Sequence, residues 1–297
     1  MDIVARVDHV PAPGENVRGA DLRFIPGGKG ANQAVACARL GARTVFLGRA
    51  GDDPFGERLR RGLAQAGVDT APMRTVDGCP SGIALILVDA SGQNSIIVTP
   101  GANARLAPAD VDAARPLFEA ADAVVLQLEI PPETVARAVH LAREVSRPSI
   151  IDAGPPRKPV DPAVFECDVL TPNDAEAAAL LGRAPGELAP EDLARQLAAR
   201  GPRAVVIKAG AHGAVVARGG GRARSVPAFR IRPVDTTAAG DAFTAALALE
   251  FVKGTDLAEA ARIANAAGAL ACMRLGAQPS MPTADELADF LARRSDG

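Results

Sequence analysis

Residues 123–154 read AVVLQLEIPPETVARAVHLAREVSRPSIIDAG. A continuous apolar run comes first, then a stretch with apolar residues at helical spacing behind two prolines, then a second apolar run. Strands that are apolar on both faces belong inside a sheet covered on both sides, and a helix between two of them makes the strands parallel. The rhythm continues downstream. CDVLTPN (167–173) and RAVVIKAG (203–210) read as further buried strands, separated by the helical stretches DAEAAALLG (174–182) and PEDLARQLAARG (190–201). GAVVARGGGRARSVPAF (213–229) reads as antiparallel ribbon, and helices are expected over 242–254, 257–276 and 283–294.

Upstream, LAPADVDAARPLFEAA (106–121) reads as one helix, DPFGERLRRGLAQAG (53–67) as another, and ANQAVACARLGA as a third, from Ala31 to Leu40 and ended by Gly41. TVFLGRAG (44–51) reads as a short buried strand. MDIVARV, NVRGADLRF and the hairpin SGIALILVDA–QNSIIVTP around DASG (89–92) alternate instead, which suits strands with one exposed face. These strands, at about 2–25 and 80–100, form a separate small sheet that covers something. The expected class is α/β: three layers, a mostly parallel central sheet flanked by helices, with a small β-sheet lid. Ligands of such sheets sit at the strand C-terminal ends, here VLQLE, DVLTPN, IKAG and the region of Asp241.

Bulk composition excludes several functions. The chain has 297 residues, 33 basic and 35 acidic, with a formal charge of −2, so it carries no large basic surface for nucleic acid. It lacks Trp and Tyr, which removes the usual platforms for stacking single-stranded bases. Cys37, Cys79, Cys167 and Cys272 are scattered, and His9, His140 and His212 show no metal-ligand spacing, so a structural zinc is not expected. Free cysteines and the lack of a long charge-free apolar run point to a cytoplasmic protein without a membrane partner.

DTTAAGDAF (235–243) carries the chemistry. A helix start leaves its first amides unpartnered and partly positive. Ala238, Ala239 and Gly240 are too small to shield those amides from an anion, and Asp241 beside them can take a proton from an attacking hydroxyl. Phosphoryl transfer to an alcohol needs that pairing. Locally, Asp241 reads more readily as a helix-cap acid and Gly240 as a turn glycine. PGGKGANQ (26–33) is a second glycine cluster before a helix, in which Gly27, Gly28 and Gly30 allow close backbone approach and Lys29 and Asn32 bring polar groups. Neither segment matches the P-loop or the dinucleotide fingerprint.

Taken in order, GGKGANQA (27–34), GDDPFGE (51–57), PGAN (100–103), QLE (127–129), TPN (171–173), DTTAAGDAF and GAQPSMP (276–282) resemble the ribokinase family of carbohydrate kinases over nearly the whole chain, and most closely its ribokinase branch. The resemblance implies one ribokinase-like domain spanning 1–297 and ATP-dependent phosphorylation of D-ribose at the 5-hydroxyl. Another sugar, a nucleoside, or sugar binding with weak catalysis are the alternatives. It implies Asp241 as catalytic base and the amides of Ala238 to Asp241, Gly240 included, as an anion hole. Asp2, Gly28, Lys29, Asn32 and Glu129 would contact sugar. Asn173 and Glu176 would handle phosphates and Mg2+. Lys208, Gly210, Gly213 and Asn265 would line the ATP site. Asp235 and Thr237, with main chain near Cys272 and Leu275 and with Ser280, would hold K+. A homodimer through the lid is implied as well.

Local readings remain beside these roles: a helix-start acid for Glu129 and Glu176, a helix cap for Asn173, solvated charges for Lys29 and Lys208, a turn for Asp235 and Thr237, and no special role for Asn265. The chain departs from the family mildly at Cys272 and Leu275, the latter removing a possible charged neighbour from the cation loop, and more clearly in two places. Members usually open with a buried strand and a Gly-Ser-x-Asn-x-Asp segment, whereas this sequence starts at that segment's end, so a longer native protein is expected. DAGPPR (152–157) stands where ribokinases tend to carry an Asn and Pro-Ala-Pro.

Overall fold

The computed structural model describes residues 1–156, 159–219 and 221–294; Arg157 of DAGPPR and Gly220 of the ribbon lie outside them. Along the chain run β1 (Asp2–Val7), β2 (Gly19–Ile25), α1 (Lys29–Arg39), β3 (Arg49–Gly51), α2 (Pro54–Gln65), β4 (Arg74–Val76), β5 (Ile83–Val88) and β6 (Asn94–Thr99). Then come α3 (Pro108–Ala113), α4 (Arg115–Ala120), β7 (Val124–Gln127), α5 (Pro132–Glu144), β8 (Ser149–Asp152), β9 (Val169–Leu170), α6 (Asp174–Leu180) and α7 (Pro190–Ala198). The last third holds β10 (Ala204–Lys208), β11 (Ala214–Arg218), β12 (Arg224–Val226), α8 (Ala239–Val252), α9 (Leu257–Cys272) and α10 (Ala284–Ala292).

The main sheet has the order β12-β11-β10-β9-β8-β7. β7 to β10 are parallel, and β11 and β12 add antiparallel. Alternate residues feed two separate cores, as strand geometry requires. Ile150, Val169, Ala204 and Val206 pack with α1, α8, α9 and Leu287 of α10. Ile151, Leu170, Val205 and Ile207 pack with residues of α3 to α7. This is the expected three-layer α/β arrangement. Apart from Asp241 and Glu250, α8 carries no charge on any side, because it lies between α1 and α9. The alternating strands form their own sheet, ordered β2-β1-β5-β6, with β1 and β5 parallel in its centre; contrary to the one-face expectation, β2 is exposed up to Ile25 and β6 along its whole length, on both faces.

Three local expectations need correction. The stretch 106–121 is two helices, because Pro116 has no N–H to continue the ladder past Ala114. TVFLGRAG is strand only at Arg49–Gly51, which pairs with β4, a strand the sequence pattern did not reveal. Val45 makes a single bridge to Asp69 and is exposed, since this segment joins no longer sheet. AVVLQLEI is less buried than its composition suggests: β7 ends the main sheet, pairs on one side only among the described residues, and leaves Val124 and Val125 half-buried.

Candidate active site

The strand ends of the main sheet and the starts of α1 and α8 converge on Asp241. Ala238 precedes α8 with φ of +59°, a left-handed conformation costing an alanine about 1 kcal/mol or more. That kink turns the chain so that the first helical turn faces the site. Of the four amides from Ala238 to Asp241, Ala239 donates to Thr236 O (3.3 Å) and Asp241 to Ala238 O (3.0 Å). The Ala238 and Gly240 amides make no hydrogen bond and remain available to an anion. The Lys208 side chain lies against Gly240, within 3.7 Å of where a Cβ would stand.

Asp241 is 5% exposed. Its Oδ2 accepts from Asn32 Nδ2 at 2.9 Å and its Oδ1 from Gln33 Nε2 at 3.0 Å. Burial pushes its carboxyl above the usual range, opposed by Lys29, reinforced by the charge of Asp152, and opposed again by the two amide donors. A base held in this way is stronger than a solvated carboxylate. Because Asn32 donates to a carboxylate, its amide orientation follows: Oδ1 is the other atom, and it is buried without a partner. An orphaned acceptor beside a base calls for a donor, and a hydroxyl supplies one.

A second buried acid, Asp152 at the end of β8, is fully inaccessible. Its Oδ1 accepts from Lys208 Nζ (2.8 Å), and its Oδ2 from Gln33 Nε2 (2.7 Å) and Lys29 Nζ (3.3 Å). Burial works against the Lys29 ammonium, but Asp152, Asp241 and Glu176 outweigh it and hold its pKa above the ordinary lysine value. The Lys29 amide donates to Glu129 Oε2 at 2.9 Å, and Glu129 is pushed up mainly by burial. Asp2 rests against Gly27, where any Cβ would fall within 2.5 Å of its carboxylate, and burial raises its pKa. Gly28 caps α1 at φ +94°, a conformation that favours glycine. Asp2, Gly28, Lys29, Asn32, Glu129 and Asp241 thus belong to one cluster.

The other predicted positions lie on the flanks. Asn173 caps α6, exchanging bonds with Glu176 in a capping box (Glu176 N to Asn173 Oδ1, 2.8 Å; Asn173 N to Glu176 Oε2, 2.7 Å). Glu176 Oε1 takes no part in that box and pairs with Lys29 Nζ at 4.0 Å. Gly210 and Gly213 both have positive φ, and a Cβ on Gly213 would meet Val226 O at 2.1 Å. Asn265 holds the Val226 and Pro227 carbonyls (3.3 and 3.1 Å). Asp235 accepts from the Thr237 and Gly276 amides, both at 2.9 Å; burial raises its carboxyl, but the Thr237 hydroxyl and these two amides outweigh that and keep it low. The Cys272 carbonyl already accepts the Val234 and Asp235 amides, Ser280 Oγ donates to Ala277 O, and Leu275 is exposed. No cluster of three or more His, Cys, Asp or Glu suited to a metal occurs among the described residues. Sequence reading missed Gln33 and Asp152. Gln33 sits inside the quoted GGKGANQ segment, and Asp152 ends a core strand as Glu129 and Asn173 nearly do, so position was the available signal.

The pfkB family carbohydrate kinase model matches residues 1–284. The chain belongs to the pfkB family of carbohydrate kinases. This pfkB-family chain is 38% identical to a ribokinase of Bacillus subtilis over 292 residues, covering 98% of the chain and 96% of the relative. It is 31% identical over 300 residues to a deoxyribokinase of Salmonella typhi, covering 98% and 96%. Its fold superposes on an Arabidopsis thaliana ribokinase complexed with ribose and ATP at a TM-score of 0.88, with 31% identity and 98% and 95% coverage. A pfkB-family kinase that phosphorylates a sugar or nucleoside is the activity these relationships support, and the buried acid beside free helix-start amides is consistent with phosphotransfer. No helix among the described residues is long and apolar enough to cross a membrane.

Proposed function

We propose that this kinase transfers the γ-phosphoryl group of ATP to the 5-hydroxyl of D-ribose, giving D-ribose 5-phosphate and ADP. The observation that carries the reading is the Asp241–Asn32 pair: a buried carboxylate with a raised pKa next to a buried amide oxygen that lacks a donor. In this reading the sugar hydroxyl gives its proton to Asp241 as it attacks. Asn32 Oδ1 takes a second hydroxyl, Glu129 and Asp2 hold the remainder of the ring, and Gly27 and Gly28 let the main chain come close. The free Ala238 and Gly240 amides, with Lys208 and Lys29, stabilise charge on the migrating phosphoryl. Gly210, Gly213 and Asn265 shape the nucleotide end.

Magnesium bound with ATP would neutralise phosphate charge; Glu176 fits as a holder through water, since Oε1 is not used in the capping box, and Asn173 adjoins it. Potassium would sit at Asp235 with Thr237, Leu275 main chain and Ser280; the Cys272 carbonyl fits less well because two amides already occupy it. Omitting potassium should slow turnover, and an unchanged rate removes that site. The lid supports self-association, because Leu22, Phe24, Ile96, Ile97 and Val98 are all exposed on β2 and β6.

The deoxyribokinase relative favours 2-deoxy-D-ribose as the second acceptor to try. Coupled ADP release should be measured with D-ribose, 2-deoxy-D-ribose, hexoses and nucleosides, with the product identified by phosphorus NMR. D-ribose should give the highest kcat/KM. Preference for another acceptor refutes the ribose assignment, and tight sugar binding without turnover refutes the kinase reading.

A further inference from the structure

We propose that Gln33 and Asp152 form a positioning pair for the general base, in which one amide group, locked from behind by Gln127 and anchored on Asp152, holds Asp241 in place. The inference rests on the reading of Asp241 as base and names residues that touch neither sugar nor nucleotide in that reading.

The geometry is specific. Gln33 is buried, and its Nε2 donates one hydrogen to Asp152 Oδ2 (2.7 Å) and the other to Asp241 Oδ1 (3.0 Å). Gln127 Nε2 donates to Gln33 Oε1 at 2.6 Å, which fixes the Gln33 amide with its nitrogen toward the acids. Both Gln33 amide hydrogens are therefore spent and its oxygen is engaged, and four elements supply the group: β7 gives Gln127, α1 Gln33, β8 Asp152 and α8 Asp241. An amide with both hydrogens spent on carboxylates cannot rotate without losing two charge-assisted bonds. The base oxygen is thereby set in one orientation before any substrate arrives.

The two partners pull oppositely on the proton. A donor N–H favours the ionised carboxylate, so Gln33 makes Asp241 a weaker base. A nearby negative charge disfavours it, so Asp152 makes Asp241 a stronger one. Asp152 adds to that effect by engaging Lys29, whose positive charge would otherwise act on Asp241 undiluted. The charged groups that act on Asp241 are Lys29 from α1, Asp152 from β8 and Glu129 beyond β7, while Lys208 from β10 lies against the neighbouring Gly240. On the far side α9 packs through Gly268, against Ala239 and Phe243.

The test reads Asp241 directly, without substrate. Full-length protein carrying carboxyl-labelled 13C aspartate is titrated by NMR, and the Asp241 signal is identified as the one absent from Asp241→Asn. Relative to wild type, the Asp241 midpoint should rise by about one pH unit in Gln33→Met and fall by about one in Asp152→Asn. Movement in the same direction, or an unmoved midpoint in Gln33→Met, overturns the proposal. If Asp152→Asn does not fold, Gln127→Leu takes its place: it unlocks the Gln33 amide and should raise the midpoint by less than Gln33→Met does, while no change overturns the locking. ADP release is measured beside it. Gln33→Met should lower kcat roughly tenfold with the KM for D-ribose within about twofold, a split that a merely loosened fold would not produce. A wild type that turns over no sugar defeats the kinase reading, and the titration still decides the positioning pair.

Discussion

Asp241→Asn takes one negative charge out of a site that water scarcely reaches. The wild-type carboxyl is 5% exposed and its pKa is raised, chiefly by burial, despite Lys29 and two amide donors. A carboxyl raised on folding resists ionisation in the native state but not in the unfolded chain. Its cost is therefore full above the folded pKa and vanishes below the unfolded one. Asparagine keeps the shape and removes that cost. It introduces an NH2 group opposite Asn32, but Asn32 can turn its amide and present the oxygen that now lacks a donor, so the new donor is satisfied. The net expectation is a gain of about 1 kcal/mol near neutral pH, or a melting midpoint higher by about 2–4 °C. Turnover should fall by roughly a thousandfold. Calorimetry of both proteins from pH 4 to pH 8, with ADP release at each pH, makes the comparison. The stability gap should be widest at the alkaline end and close as the pH drops through the carboxylate range. A variant that melts below wild type at pH 8, or a gap that ignores pH, refutes the assignment of a destabilising buried charge.

Three other outcomes are expected. Gly213→Ala forces a side chain into φ +98° and onto Val226 O, and should cost more than about 2 kcal/mol by denaturant titration. Asn173→Ala removes the capping box of α6 and should cost about 1 kcal/mol with or without magnesium present; a loss seen only with nucleotide bound would mean the cap is incidental. Val98→Glu puts a charge on the exposed lid face, where Val98 is 64% exposed; light scattering should show a shift toward monomer with melting little changed, and an unaltered mass rules out association through that face.

Patterns of local hydrophobicity exposed most of the fold, because strands covered on two faces and strands covered on one differ in period. Ile150, Ile151 and Val205 to Ile207 betray a double-sided sheet residue by residue. What the pattern could not show is who stands beside whom. β7 is as apolar as β8, yet it ends the sheet, and its exposure depends on a neighbour rather than on its own residues. Asp241, Asn32, Lys29 and Glu129 were visible in sequence because each lies in a small-residue or strand-end motif. Gln33 and Asp152 were not, because the bond joining them spans 119 residues and local spacing carries no trace of it. Asn173 shows the reverse. Its plain reading as a helix cap is what the geometry contains, and any part in handling phosphate is additional to it.

Only Pro26, Gly27 and Gly28 separate the last residue of β2 from the first residue of α1. A tether that short spans about 10 Å at full stretch, and α1 carries Lys29, Asn32 and Gln33 on its opening turns. The small sheet is thus tied closely to the helix whose amides hold Asp241. A shift of the small sheet over a guest would therefore pull on the same helix whose Asn32 and Gln33 amides already hold the Asp241 carboxylate, so cover and carboxylate share one short mechanical link.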